Sequence, residues 1–355
     1  MRTLKSKKRI IIASVVMFFA LAFFLIVAPF TISAIVLNSI FGTRFTTDSV
    51  LAYSLDDFEG LNADRYEFNS NNNQKLIGYK YYVDGVTPKA VVVIAHGFGG
   101  GGHNSYMDCA NFFAHNGFYV FAYDATANDE SEGKAVGGLP QGVIDLDYAL
   151  NYLQGLSDFN NLPIVLFGHS WGGYSVSSVL NCHDEIKAIV SVAGFNEASD
   201  LMLAQGVQMM GQASAILMPY VNVVENSKFG KYASFTAMDG FANSSAKVMI
   251  VQGGQDTTVP QKYGYDIYLE KYGNDSRFSF VYRPERDHIN VYYSKQGIDY
   301  VNQINEDFAS YFGDVSPTEE QRAAYINQHL DRKQWSNLID VELFTQMVEF
   351  YNSAI

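Results

Sequence analysis

Ser170 lies in Gly168-His169-Ser170-Trp171-Gly172-Gly173, directly after the apolar run Ile164-Val165-Leu166-Phe167. A serine hydroxyl is a weak nucleophile until a base takes its proton and a carboxylate orients that base. The Gly-x-Ser-x-Gly spacing puts such a serine on a sharp turn between strand and helix, with its hydroxyl clear of the sheet. The partners expected for this turn follow it in the order carboxylate, then histidine. The chain supplies that order. Asp256 lies in Gly253-Gly254-Gln255-Asp256-Thr257-Thr258-Val259-Pro260, and His288 ends Arg286-Asp287-His288. Asp287 competes with Asp256 for the orienting role, but neighbours in a loop seldom point at each other, so Asp256 is preferred. His96 and His169 compete with His288, and both read as loop supports. The residues therefore point to acyl transfer through Ser170, with His288 as general base and Asp256 as orienting carboxylate.

These residues need a scaffold that brings three distant loops together. Short apolar runs at Leu76–Val83, Ala90–Ala95, Phe118–Tyr123, Ile164–Phe167, Ala188–Val192, Val248–Gln252 and Phe278–Tyr282 read as strands, most of them buried on both faces. Helical stretches alternate with them at about Ser105–Asn116, Leu139–Leu156, Ser170–Leu180, Lys262–Tyr272 and Ser294–Tyr311. Such alternation means an α/β protein with a mainly parallel sheet and helices on both faces. Ser170, Asp256 and His288 then all fall just past strand ends, where open parallel sheets bind ligands. The interval 195–246 breaks the rhythm and reads as a cap inserted over the site. It holds half of the ten methionines, Met202, Met209, Met210, Met218 and Met238, with Ile216, Leu217, Tyr220, Val221, Val223 and Val224. These residues suit either a flexible apolar lining or the cap's own core.

With these motifs in order, the chain resembles the α/β-hydrolase superfamily, and within it the serine-aminopeptidase-like and monoacylglycerol-lipase-like group. The resemblance covers about Leu76 to Tyr311. It rests on His96-Gly97-Phe98-Gly99, the Asp124–Gly133 loop, the Ser170 turn, the segment ending at Pro260 and the Asp287-His288 pair. It implies an oxyanion hole from the backbone amides of Phe98 and Trp171, supported by His96, Gly97 and His169, and no cofactor or metal. The glycines Gly99 to Gly102 are expected to shape the backbone near Phe98. One segment departs from the group. Where the loop after Tyr123 usually reads Asp-x-Arg-Gly-His-Gly-x-Ser-x-Gly, this chain has Thr126, Ala127, Asn128 and Asp129 at the arginine, glycine, histidine and glycine positions.

The N-terminus carries a second signal. Ile10 to Ala28 contains only Ser14 as a polar residue and, as a helix, spans about 28 Å, the thickness of a bilayer core. Arg2, Lys5, Lys7, Lys8 and Arg9 precede it, and acidic Asp48, Asp56, Asp57 and Glu59 follow. The positive-inside rule puts residues 1–9 in the cytoplasm and everything beyond the span outside the cell membrane. An uncleaved signal anchor is preferred to a cleaved signal peptide, because no small-x-small site follows the run. The expected organisation is a basic tail at 1–9, a span at 10–28, a connector at 29–75, a hydrolase domain at 76–316 and a helical extension at 317–355. The extension reads as an exposed-face helix pair packing on the domain.

A net charge of −13 over 355 residues argues against nucleic acid as a partner. Cys109 and Cys182 are expected as buried free thiols. Two Asn-x-Ser sites, at Asn243 and Asn274, are glycan acceptors only in a eukaryotic secretory pathway. The expectation is a membrane-anchored serine hydrolase of lipid-like or other amphiphilic carboxylic esters, of carboxylesterase or lipase type. The alternatives are an amide or peptide hydrolase using the same triad, and a catalytically silent hydrolase fold that binds. The sequence leaves oligomeric state open.

Overall fold

A computed structural model describes residues 2–159 and 161–355. The side chains of residues 2–6, 209 and 210 lie outside the described set, so the expectations for Met209 and Met210 are not addressed. The chain opens with α1 (Arg2–Ala22), a π-helical turn (Phe23–Val27) and α2 (Ala28–Phe41). By length and composition, Lys7–Phe41 is apolar enough to cross a membrane. The helix does not end at Ala28. It continues through the first part of the expected connector, and Gly42 terminates it.

Among the described residues, eight strands form one sheet: β1 (Leu61–Asn69), β2 (Lys75–Val83), β3 (Ala90–Ala95), β4 (Phe118–Tyr123), β5 (Ile164–His169), β6 (Ala188–Val192), β7 (Lys247–Gly253) and β8 (Phe278–Arg283). Their spatial order is β1-β2-β4-β3-β5-β6-β7-β8. The pairs β1–β2 and β2–β4 are antiparallel, and the pairs from β4–β3 onward are parallel. Strand β1 lies inside the expected connector. Its sequence, Leu-Asn-Ala-Asp-Arg-Tyr-Glu-Phe-Asn, is mostly polar because it is an edge strand, and it lacks the apolar run that marks the inner strands.

Alternating side chains of the inner strands feed two cores, as a period of two requires. Val91, Val93, Leu166, Ile189 and Ile250 face one core, and Val92, Ile94, Val165, Val190 and Val251 face the other. Helices α3 (Met107–His115), α4 (Pro140–Gln154) and α5 (Trp171–Ser178) follow β3, β4 and β5. The cap between β6 and β7 contains α6 (Ala198–Met210), α7 (Met218–Phe229) and α8 (Ala237–Asn243). Then come α9 (Tyr265–Tyr272), α10 (Lys295–Phe312), α11 (Glu319–His329), α12 (Arg332–Trp335) and α13 (Val341–Asn352).

The C-terminal extension packs on the domain through one face of α13. Helix α13 is a core element: Phe344, Met347 and Tyr351 are fully buried beside α3 and the sheet. The Tyr351 hydroxyl donates to the carbonyl of Leu166 at 2.7 Å. The extension also grips the segment that leaves α2. Arg322 pairs with Asp48, Arg332 pairs with Asp57, and the Trp335 indole donates to the Leu51 carbonyl at 3.0 Å. Cys109 is a buried free thiol as expected, whereas Cys182 is free but exposed. Cys182 follows the helical turn Val179–Asn181.

Candidate active site

Strand β5 ends at His169 and α5 begins at Trp171, leaving Ser170 alone at the bend. Its backbone takes φ 57° and ψ −116°, a region L-residues rarely occupy. Strain of this kind costs about 1–3 kcal/mol and persists where the surroundings hold it. Here the Ser170 amide donates to the Val192 carbonyl at 2.8 Å, and α5 packs against β5 and β6. Gly172 lets the start of α5 approach the end of β3, because a Cβ there would collide with the Ala95 carbonyl.

The three residues singled out from sequence meet. The Ser170 hydroxyl lies 2.8 Å from His288 Nε2, and His288 Nδ1 lies 2.7 Å from Asp256 Oδ2. Asp256 is held from behind: its Oδ1 accepts the amides of Thr258 at 2.9 Å and Val259 at 2.8 Å. Asp287 is engaged elsewhere, accepting from the amides of Ile289 and Asn290 at 3.0 and 2.9 Å. Phe98 and Trp171 line the same cavity as Ser170. Among the described residues, neither of their amides donates to a turn or loop carbonyl.

The supporting histidines are both buried. His96 Nε2 accepts the Ala125 amide at 3.0 Å, its Nδ1 donates to the Gly97 carbonyl at 2.7 Å, and burial lowers its pKa. His169 Nε2 lies 2.9 Å from the carbonyl of His288 and must donate to it. Its Nδ1 therefore accepts, and the Tyr106 hydroxyl at 2.9 Å is the donor. That hydroxyl in turn accepts the Gly97 amide at 3.0 Å. Burial, with His288 beside it, pushes His169 down to about 3, so the neutral ring that this chain requires persists at ordinary pH.

Tyr106 thus ties the Gly97 turn to the loop carrying His288. It has no motif around it and was not singled out from sequence. Its place at the start of α3, just after the glycine run, was the only signal. Tyr106→Phe leaves the Gly97 amide and His169 Nδ1 without their partner. A loss of ~1–3 kcal/mol of stability is expected, checked as a fall in melting temperature against wild-type protein in the same detergent.

Of the remaining histidines, His103 donates to buried Asp124 at 2.7 Å and His183 sits between Asp147 and Glu185 at 2.8 and 2.6 Å. Neither touches the Ser170 cavity. Two glycines of the run allow close approaches elsewhere. A Cβ on Gly101 would collide with Thr47, and one on Gly102 with Asp124.

The cavity at Ser170 has a volume of about 730 Å³. The cap supplies Leu201, Met202, Leu217, Met218 and Val221 to its wall. Met238 instead packs into the core, and Ile216 and Val223 are exposed, so the cap's apolar residues divide among lining, core and surface.

Residues 86–239 match the family model described as serine aminopeptidase, S33. The chain is 33% identical to the monoglyceride lipase of Rattus norvegicus over 106 residues, which are 29% of this chain and 34% of that protein. It is 27% identical over 160 residues to the α/β-hydrolase domain-containing protein WAV2 of Arabidopsis thaliana, covering 43% of this chain and 50% of that protein. The chain spans half or less of the length of these curated relatives. Among solved structures, it superposes on an esterase of Pyrococcus furiosus with a TM-score of 0.53 at 16% identity, over 76% of this chain and 95% of that one. An acylaminoacyl peptidase of Pyrococcus horikoshii superposes with a TM-score of 0.54 at 15% identity, over 84% of this chain and 43% of that one. Matched segment, relatives and superposed structures agree: the chain has the α/β-hydrolase fold, and residues 86–239 are similar to the serine aminopeptidase, S33 family.

Proposed function

We propose that this protein is a membrane-anchored serine hydrolase that cleaves the carboxylic esters of amphiphiles. The observation that carries the reading is the hydrogen-bonded chain Ser170–His288–Asp256 at one end of an apolar cavity. In this mechanism the Ser170 hydroxyl oxygen attacks the ester carbonyl carbon while His288 Nε2 takes its proton. The amides of Phe98 and Trp171 receive the negative charge that develops on the carbonyl oxygen. Collapse breaks the bond to the alkoxy group, His288 returns the proton to it, and the alcohol leaves. A water, deprotonated by His288, then attacks the acyl-serine, and the acid departs with Ser170 restored. Asp256 keeps His288 in the tautomer that accepts the serine proton and stabilises the imidazolium.

The triad serves amides as well as esters, and the family model and one structural neighbour carry peptidase names. The cavity favours esters. Among its described lining residues there is no Asp or Glu to receive the α-ammonium group of a peptide. Apolar side chains from the cap suit an acyl or alkyl tail instead.

The anchor reading is supported by the apolar helix, and the cations ahead of it favour an N-terminus in the cytoplasm with the catalytic domain outside. It is also supported by α2 itself, whose Ser33, Leu37 and Phe41 are buried against the folded domain. The test is hydrolysis of a p-nitrophenyl ester series, from acetate to palmitate, by the full chain in detergent, beside aminoacyl-p-nitroanilides. Ester turnover with an optimum above acetate is expected. Turnover of the anilides alone would transfer the reading to peptides, and a folded protein that hydrolyses neither would be a binding fold.

A further inference from the structure

The helix that carries the membrane span also reaches the active-site cavity. Ser33, Val36, Leu37, Ile40 and Phe41 of α2 all line it. They recur at the i, i+3, i+4, i+7 spacing of a single helix face. The opposite face, with Ile32 and Ile35, is exposed. From Arg2 to Phe41 the helix is about 60 Å long, roughly twice the hydrocarbon core of a bilayer. Spanning uses the part up to about Ala28. The remainder is surplus to spanning and packs on the cap, along α7.

Two further contacts fix that packing. Pro29 has no N–H for the carbonyl four residues before it, that of Leu25, and the Tyr220 hydroxyl of the cap donates to this carbonyl instead. A cap residue is thereby held against the apolar run itself. Beyond α2, the exit segment is bolted to the loop after β4. Phe45 exchanges backbone bonds with Ala127 and Asp129 at 3.0 Å each. Arg44 donates to the carbonyls of Gly133, Asp129 and Ser131. Asp129 accepts the Thr47 amide at 2.5 Å, the Thr47 hydroxyl at 2.6 Å and the Gly102 amide at 2.7 Å. Ala127, Asn128 and Asp129 are positions at which this loop departs from the pattern of its group. Here they dock the anchor's exit beside the Phe98 turn. Phe98 is itself packed edge-on by Phe41 and Phe45, at 5.3 and 4.8 Å between ring centres.

We infer that the C-terminal part of the anchor helix is a wall of the substrate pocket, and that a long acyl tail of the ester lies along Val36 and Ile40. The inference rests on the serine-hydrolase reading and names the substrate as a long-chain amphiphile, its chain-length preference set partly by the anchor. An acyl chain against these side chains replaces water on an apolar face that continues into the bilayer.

The test uses the full chain in phosphatidylcholine nanodiscs. Ser170 labelling rates are measured with an ethyl and a dodecyl fluorophosphonate, and the ratio of dodecyl to ethyl rate is compared between variants. Val36→Trp/Ile40→Trp fills the wall and is expected to lower the ratio by at least about tenfold, because apolar pockets discriminate by bulk at this level. Val36→Ala/Ile40→Ala, which removes bulk without adding any, is expected to shift the ratio by about threefold or more, and it serves if the tryptophan variant fails to fold. Ile32→Trp/Ile35→Trp, on the exposed face, is expected to leave the ratio within about twofold. A ratio unchanged in every folded wall variant overturns the wall and leaves the hydrolase reading intact. No labelling of folded wild-type protein by either probe overturns the hydrolase reading, and the wall with it.

Discussion

Ser170→Ala is expected to lower kcat for any hydrolysed ester by roughly 10⁵- to 10⁶-fold, the scale on which removal of a triad serine acts elsewhere. The loss should fall on kcat. The cavity walls, built from the cap, Phe98, Trp171 and α2, are untouched by removal of one oxygen. KM for the residual reaction should therefore stay within about tenfold of the wild type, since uniform binding is retained. Folding should survive as well. Alanine takes the same backbone angles as serine at similar strain, and the bonds that hold the bend, from the Ser170 amide to Val192 and from the Tyr174 amide to the carbonyl of residue 170, are main-chain bonds. Kinetics beside a melting curve check both halves. A folded Ser170→Ala protein that kept a hundredth of the wild-type rate would remove Ser170 from the chemistry.

The three residues that meet at the candidate site were legible because each belongs to a local pattern at a strand end. Ser170 has its glycines, Asp256 its Gly-Gly-x-Asp turn, and His288 a loop after an apolar run. The inner strands were legible for a related reason: burial on both faces demands continuous apolar residues, and Ala90–Ala95, Phe118–Tyr123 and Ala188–Val192 appear with the expected bounds. What escaped was set by tertiary packing. Strand β1 is mostly polar because one side of it has no neighbour. Helix α2 contains Pro29, Thr31, Ser33 and Asn38, which read as a connector until the cap is present to bury Ser33 and the π turn to admit Pro29. Helix α13 read as amphipathic and packed on the domain by one face, but the pattern did not give the depth of that packing. The structure packs its Phe344, Met347 and Tyr351 into the sheet's second core, whereas in the longer α10 only Gly297 is buried. Tyr106 was not singled out because its partners, Gly97 and His169, are joined to it only by the fold.

Asp256→Asn is expected to lower kcat by about 10⁴-fold, the cost reported by the equivalent change in a serine protease triad, while Asp287→Asn stays within about tenfold of the wild type. The asymmetry follows from the hydrogen bonds. In Asp256→Asn the amides of Thr258 and Val259 still point at one side-chain atom, and being donors they require it to be the oxygen. The new NH₂ group then occupies the place of Oδ2, facing His288 Nδ1 at the former 2.7 Å. A donor there obliges Nδ1 to accept and moves the ring proton to Nε2. Nε2 then has no lone pair for the Ser170 proton, although every heavy atom remains near its original position. Asp287 has no such lever. Its carboxylate caps the turn through Ile289 and Asn290, and an asparagine oxygen accepts those same amides. Rates for the two variants, measured side by side on the preferred ester, separate the carboxylates directly. A large loss in Asp287→Asn with little in Asp256→Asn would mean that the loop rearranges when substrate enters, carrying the neighbouring carboxylate to the ring. The Tyr106–His169 link to the His288 carbonyl opposes that rearrangement, because it ties the backbone of this loop to the rigid end of β5.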